Sequence, residues 1–542
     1  MDVVFISGLS EEAGMLSADT YTNRKKFTLT VDGKDMNILN LKAYFKDKKR
    51  FASLPDKTNV VQPKYLNGIC IYDYLTKRGL EVGLINCLDL EIDKFKDMLR
   101  KGPLAIAIST TFIVYTEILG QVVSLIRDLD RDITIIVGGP QVFHSYIFQQ
   151  RKNDPYYRDM PMAKEMFYFC DAESDPPVDV FVVEKRGEKT LFNLIQRLKQ
   201  KKSIYEEKNI AYYTRKKELL FTQREEEITD LGADPISWDK LDEELMGTIV
   251  PLQGSVGCPY KCKFCSFNKV HTVKRKPLSI IKRELDMIQK RSFVKAIEFT
   301  DDNLFISPNR MTEFAQMYVD GGYHFGWHSF LRANSIQPEN IALLKESNCR
   351  TARMGFESGD ETVLRNMNKK GTPDSYLQAM CLLNDAGIDA STYFIVGFPG
   401  ETPTSIENTI NLMNRFPTAG AGINFYLMFS FLLVPFSEIW EPSERATYGL
   451  EGFFADWKHD TMHSGEVDAH IEEIFVRVNN SHASLYISDR DYYLHGWNKQ
   501  KVKTIFAQRD AIVKSRLDSK ELSNPLQEKP LWAELENTVS QI

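Results

Sequence analysis

The sequence predicts an α/β protein in three parts: an N-terminal doubly wound parallel sheet, a partial (β/α)6 barrel and a mainly helical C-terminal domain. Three observations carry that expectation. β-branched runs alternate with amphipathic stretches over residues 1–200. A second alternation of the same kind fills 248–436, and residues 437–542 turn aromatic, then charged and helical. A chain of 542 residues is too long for one core.

In the first part, "VVFIS", "EVGLINC", "LAIAIST", "ITIIVGG" and "VFVV" are nearly continuous apolar runs. Strands covered on both faces read that way. "YLNGICIYDYLTKRG" and "EILGQVVSLIRDLD" carry helical spacing between them. An insertion at about 10–62 separates the first strand from its helix. Residues 201–247 are polar and read as a connector, with a hairpin at "NIAYYTRKKELLFT". The second part offers the strands "TIVPLQGS", "AIEFTDD", "GWHSFLRAN", "TARMGFES", "DASTYFIVGF" and "INFYLMFSF", with helical segments between them. Chemistry on such a barrel belongs at the carboxyl ends of the strands.

The totals exclude several classes. A hydrophobic share of 43%, a charged share of 26% and a net charge of −6 describe an ordinary globular chain, not a general nucleic-acid or membrane binder. No apolar run is long enough to span a bilayer, and "DVVFIS" follows Met1 without a basic leader, so no secretory signal is expected. Cys70, Cys87, Cys170, Cys349 and Cys381 are scattered and read as core thiols of a reduced, cytoplasmic protein.

The other three cysteines crowd into "GSVGCPYKCKFCSF", residues 254–267. Cys258, Cys262 and Cys265 have a Cx3Cx2C spacing in a stretch too polar for core. Zinc is one reading, but a structural zinc site wants four ligands and only His271 lies close enough to be the fourth. An iron–sulfur cluster normally takes four thiolates, so three leave one iron open.

This loop resembles the cluster loop of radical S-adenosylmethionine (SAM) enzymes. Further motifs follow in the family's order: "EFTDDN", "HSFLRAN", "RMGFESGDETVLRNMNK" and "YFIVGFPGET". The resemblance covers residues 248–435 and implies a [4Fe–4S] cluster whose open iron is chelated by SAM. It implies SAM contacts from Phe264, Asp301, Asp302, Ser329, Arg332, Glu357 and Gly397. The usual Gly-Gly-Glu is absent from the second motif. Each contact has a plainer alternative. Asp301 and Asp302 suit a helix cap, Glu357 a buried pair with an arginine, and Gly397 and Gly400 a tight turn.

The first part resembles the cobalamin-binding domain attached to one large radical SAM class. Ser109, Thr110, Gly138 and Gly139 correspond to the loops flanking the cofactor's nucleotide tail. The usual DxHxxG element is missing, and no histidine precedes His144. Residues 434–475 look like the segment after the barrel in the group named for the phosphinothricin-pathway P-methyltransferase. There Trp457, His459 and Met462 are candidates for a substrate roof or for core.

The resemblance implies a cobalamin-dependent radical SAM methyltransferase acting on an unactivated carbon, or a phosphinate phosphorus, of a natural-product intermediate. It implies a small-molecule or peptide substrate and a flavodoxin or ferredoxin electron donor. The basic stretch "KVHTVKRK" is readable as a docking face for that donor or as a solvated face. No nucleic-acid or membrane partner is expected. A non-methylating cyclisation, epimerisation or rearrangement uses the same barrel, and a non-catalytic cobalamin or iron–sulfur sensor is the third reading.

Overall fold

The structure is a computed structural model that describes residues 1–10, 26–31, 33–53, 64–158, 160–228, 230–233, 235–267, 272–484, 487–518 and 525–542. The described residues form two compact units, one drawn from 1–18 and 63–247, the other from 19–62 and 248–542.

The first unit is built on β1 (Val3–Ile6), β2 (Val82–Ile85), β3 (Ala105–Ser109), β4 (Thr134–Gly138), β5 (Val180–Val182), β6 (Ile210–Tyr213) and β7 (Leu219–Phe221), in the order β2-β1-β3-β4-β5-β6-β7. Pairing is parallel from β2 through β5 and antiparallel across β6 and β7. Both faces of the central strands are covered, as their unbroken apolar character requires. Ile106 and Ile108 face Leu119, Val123 and Ile126 of one helix. Ala105 and Ala107 share the opposite face with Leu75, Leu194 and Ile195. The hairpin expected in the connector therefore extends this sheet by two strands. Lone hairpins are marginal in water, and pairing with an existing edge stabilises one.

The second unit holds β8 (Ile249–Leu252), β9 (Ala296–Phe299), β10 (Gly326–Phe330), β11 (Cys349–Glu357), β12 (Asp389–Val396) and β13 (Asn424–Ser430), all parallel and in sequence order. The six expected barrel strands are these. Helices such as Pro308–Gly321 pack outside, where Phe314 and Tyr318 meet Phe299 and Trp327. After β13 come three short antiparallel strands, β14 (Glu451–Phe453), β15 (Asp456–His459) and β16 (Met462–His463). A two-residue strand, β17 (His482–Ala483), then adds a seventh member beside β13, and helices follow.

The described part of the N-terminal insertion belongs to this second unit, not to the sheet that it interrupts in sequence. The Ile38 N–H at the start of helix Ile38–Lys46 donates to the Asp489 carboxylate at 2.9 Å, and Lys26 pairs with Glu472 at 3.0 Å. Its apolar side chains Ile38, Leu41 and Phe51 are buried. No helix among the described residues is long and apolar enough to cross a membrane.

Candidate active site

The thiol loop leaves β8 and is fastened at several points. The carboxylate of Asp301, just past β9, accepts from the Gly254 N–H at 3.0 Å and the Ser255 hydroxyl at 2.6 Å. Further along, the Lys263 N–H donates to the Met367 carbonyl at 2.9 Å, and the Lys263 carbonyl accepts from the Ile439 N–H at 2.9 Å. Asn368 Nδ2 donates to the Lys261 carbonyl at 2.7 Å. The loop is thus held in place by residues 40 to 180 positions away, before any cofactor contributes.

Cys262 is buried, and Cys258 and Cys265 are half-buried. Burial raises the Cys258 thiol, while the Tyr260 N–H and the Arg332 guanidinium act against that rise. Among the described residues no three His, Cys, Asp or Glu side chains converge on a point where one metal ion would sit. A single zinc ion needs that convergence. His271, the possible fourth zinc ligand, lies outside the described residues, as does the first part of the basic stretch 269–276.

Beside the loop, at the carboxyl ends of the barrel strands, is a cavity of about 410 Å³. Cys258, Phe264, Asp302, Arg332 and Glu357 line it, so five of the expected residues meet around one space. Glu357 ends β11 with φ +67°, where the β11–β12 register shifts. Such a left-handed position on a non-glycine residue is strained, and the bulge turns the carboxylate into the cavity. Its partner is Lys369, at 2.6 Å, and both are about nine-tenths buried. The expected buried pair exists, with a lysine in place of an arginine. Gly355 makes room for it: a Cβ there would fall 2.2 Å from Glu357 Oε1 and 3.1 Å from Lys369 Nζ. Arg332 lays its guanidinium on the Tyr260 ring, 3.6 Å from the centroid, and its buried Nε is unpartnered.

Three expected contacts lie elsewhere. Asp301 does not line the cavity; its carboxylate serves the cluster loop, and burial pushes it up to about 6 despite the donors it accepts from. We expect Asp301→Ala to leave the Gly254 N–H buried and unbonded and the Ser255 hydroxyl with only its 3.4 Å bond to the Asn303 carbonyl, costing about 1–3 kcal/mol. Denaturant unfolding checks this, and an unchanged midpoint would refute the strap. Ser329 is turned outward. His328 and Phe330 on either side occupy the inner face, so the pleat sends Ser329 to the outer layer, where its hydroxyl donates to the Phe330 carbonyl at 3.3 Å. Gly397 (φ +95°) forms the turn after β12; its N–H donates to Glu401 and its carbonyl faces His459 Nε2 at 3.1 Å. Burial raises the Glu401 carboxyl to about 8.

The candidate roof residues form a buried layer behind the cavity wall. Trp457 donates to the carbonyl of cavity-lining Phe431 at 2.8 Å and stacks on His459, and Met462 is buried nearby. The sequence reading misses Asn303. It lines the cavity, is 3% exposed, and neither its Nδ2 nor its Oδ1 has a partner. Its place as the last residue of "EFTDDN" was the available signal.

In the first unit, Ser109, Thr110, Gly138 and Gly139 gather at the carboxyl edge of β3 and β4. Ser109 pairs with Gly138 in register, and the Thr110 hydroxyl donates to the Gly138 carbonyl at 3.0 Å. Gly139 has φ +108°, and a Cβ there would come 2.9 Å from the Thr110 nitrogen. Asn67 Nδ2 donates to the Ser7 carbonyl and to Ser109 Oγ, both at 2.9 Å. Ser7 Oγ and Asn67 Oδ1 remain buried and unpartnered at the same edge. Glycine backbone beside unpaired polar atoms suits a ligand lying against the sheet edge.

The chain matches known proteins accordingly. Residues 252–413 match the family described as the radical SAM superfamily. An uncharacterized methyltransferase of Pyrococcus horikoshii is 24% identical over 308 residues, covering 54% of this chain and 60% of that protein. Anaerobic magnesium-protoporphyrin IX monomethyl ester cyclase of Rubrivivax gelatinosus is 24% identical over 349 residues, covering 60% and 62% respectively. The chain thus spans about three fifths of the length of these curated relatives. Among solved structures, the cobalamin-dependent SAM radical enzyme OxsB with aqua-cobalamin and SAM bound aligns with a TM-score of 0.52 at 16% identity, over 100% of this chain and 71% of that one. At that identity the likeness is one of fold. Residues 252–413, which carry the three-thiol loop and most of the lining of the cavity beside it, are thus similar to the radical SAM superfamily.

Proposed function

We propose that the protein is a cobalamin-dependent radical SAM methyltransferase of a small-molecule or peptide substrate. The observation that carries the reading is the thiol loop beside a cavity lined by Glu357, Asp302, Arg332 and the unpartnered carboxamide of Asn303. When bound, a [4Fe–4S] cluster supplies the low-potential electron for SAM cleavage and a cobalamin the transferable methyl group.

The chain's own residues have distinct tasks in this reading. Cys258, Cys262 and Cys265 hold the cluster. Glu357, Arg332, Asp302 and the free carboxamide of Asn303 orient SAM, and Phe264 packs near its adenine. An amide whose NH2 and carbonyl are both unpartnered matches the carboxylate and ammonium of an α-amino acid. The aromatic walls of the cavity exclude water from the reacting centre. Ser109, Thr110, Gly138 and Gly139 would receive cobalamin. The electron donor is a flavodoxin or ferredoxin in a reduced, cytoplasmic setting. Methyl transfer to an unactivated carbon, or to a phosphinate phosphorus, of a natural-product intermediate is the finer form of the proposal.

A non-methylating radical reaction is the second reading, favoured by the similarity to the ester cyclase. Anaerobic reconstitution with an ultraviolet–visible spectrum and iron, sulfide and cobalt analysis tests both cofactors at once. SAM turnover then separates the readings. 5′-Deoxyadenosine together with S-adenosylhomocysteine supports methylation, and 5′-deoxyadenosine alone supports the second reading. A protein that binds neither cofactor refutes both.

A further inference from the structure

Below the cavity the barrel interior becomes charged. Inward-facing residues one step down the strands are Glu298 on β9, His328 on β10, and Arg353 on β11. The segment 490–493, from the C-terminal part of the chain, closes this end. Tyr492 donates to the carboxylate of Asp389, the first residue of β12, at 2.9 Å, and Tyr493 lies 3.4 Å from His328 Nδ1. Ile38 fixes the preceding Asp489 from the insertion, and Arg509 pairs with the same carboxylate.

Six buried polar atoms in this space have no partner: His328 Nε2, Thr351 Oγ1, Arg353 Nε, Ser391 Oγ, Arg490 Nε and Asp491 Oδ2. Buried polar groups are nearly always bonded, so a cluster of orphans marks a place for polar guests. The charges there are unevenly matched. Arg353 bonds Glu298, and although burial opposes it, Arg353, His328 and Arg490 hold that carboxyl down at about 2. Burial pushes the Asp491 carboxyl up to about 7. Arg490 makes no ion pair among the described residues; its Nη1 donates to the Tyr393 hydroxyl at 2.9 Å.

Tyr393 connects this charge to the cavity, which it lines. Its ring lies between those of Phe330 and Phe429, with centroids 5.3 and 6.2 Å away. On this aromatic wall the phenol is the polar point. A phenol that accepts a bond from a guanidinium is a strengthened donor, because the two bonds polarise in series. Its own O–H bonds no acceptor among the described residues.

We propose that Tyr393, backed by Arg490, is a substrate-specificity site that binds an anionic oxygen, a carboxylate or phosphoryl group, while the substrate's apolar body lies on Phe330 and Phe429. This rests on the reading of the cavity as the radical site. Both Arg490 and the insertion that braces its segment lie outside residues 252–413, so the site would differ between relatives sharing the same cofactor machinery.

The test uses the reconstituted full chain with acetate, inorganic phosphate and neutral acetamide as probes. Thermal unfolding is followed against probe concentration at constant ionic strength. A saturable rise with acetate or phosphate, absent with acetamide, is expected. The effective anion identifies which group the substrate carries. Tyr393→Phe and Arg490→Gln should each weaken that affinity roughly tenfold or more, as loss of a bond to a charged group does. Because Asp491 faces Arg353, Arg490, Glu298 and Tyr493, its ionisation would neutralise Arg490, so the anion should bind more weakly at pH 8 than at pH 6. If Arg490→Gln does not fold, Tyr393→Phe, which removes one oxygen, carries the test alone. Wild-type protein that cleaves SAM yet shows no anion effect, or an effect unchanged in the variants, overturns the proposal. Wild-type protein that cleaves no SAM refutes the radical reading instead.

Discussion

Replacing any one of Cys258, Cys262 and Cys265 by alanine should abolish SAM cleavage and bring the bound iron close to zero. Each thiolate is one of three protein anchors, and a cluster left with two is lost or rebuilt with other ligands. The variants should fold. The loop's position depends on Asp301, Met367, Asn368 and Ile439, none of which bonds a cysteine side chain. Cys258 and Cys265 are only half-buried, and a typical point substitution costs about 1 kcal/mol. The pattern expected is therefore a near-normal unfolding midpoint for the apo-protein with no charge-transfer absorbance after anaerobic reconstitution. Cleavage retained in any single variant would remove the cluster assignment for that cysteine.

Lys369→Met should be the most destabilising single change at the cavity. It strands the Glu357 carboxylate in a site about nine-tenths buried, and breaking a buried pair from one side costs about 3–5 kcal/mol. Glu357 cannot swing away easily. Its backbone is fixed at φ +67° in the bulge, and Gly355 leaves only the space that the pair already fills. Adding Glu357→Gln removes the stranded charge, so the double variant should regain most of the lost stability. SAM affinity discriminates further. If Glu357 contacts SAM, the double variant stays weak in SAM binding although its unfolding midpoint recovers. Equilibrium unfolding and SAM titration of the three proteins measure both, and equal recovery of the two would make the pair purely structural.

Arg332 and Phe264 both lie on the cavity wall, because each lies within a few residues of a strand end or of the loop itself. Asp301 and Asp302 adjoin in sequence yet separate in space. The chain turns at the end of β9, so one carboxylate enters the loop beneath and the other reaches the cavity. Ser329 parts from Phe330 in the same way, since only the pleat decides which of two neighbours looks inward. The insertion at 10–62 interrupts the first sheet in sequence, but its described apolar residues Ile38 and Leu41 are buried within the second unit.

The sequence by itself determined the two α/β alternations and the loop of three thiols with its ordered downstream motifs. All of these are local: residue spacing sets strand, helix and loop, and three cysteines on one loop stay together however the rest packs. Only the tertiary structure decided which partners meet across long separations. Lys369 reaches Glu357 because a bulge turns the carboxylate inward, Asp301 straps a loop 47 residues away, and Arg490 arrives behind Tyr393 from 97 residues downstream. Such pairings leave no periodic mark in the chain. They follow from burial, which brings together polar groups that must find one another once water is excluded.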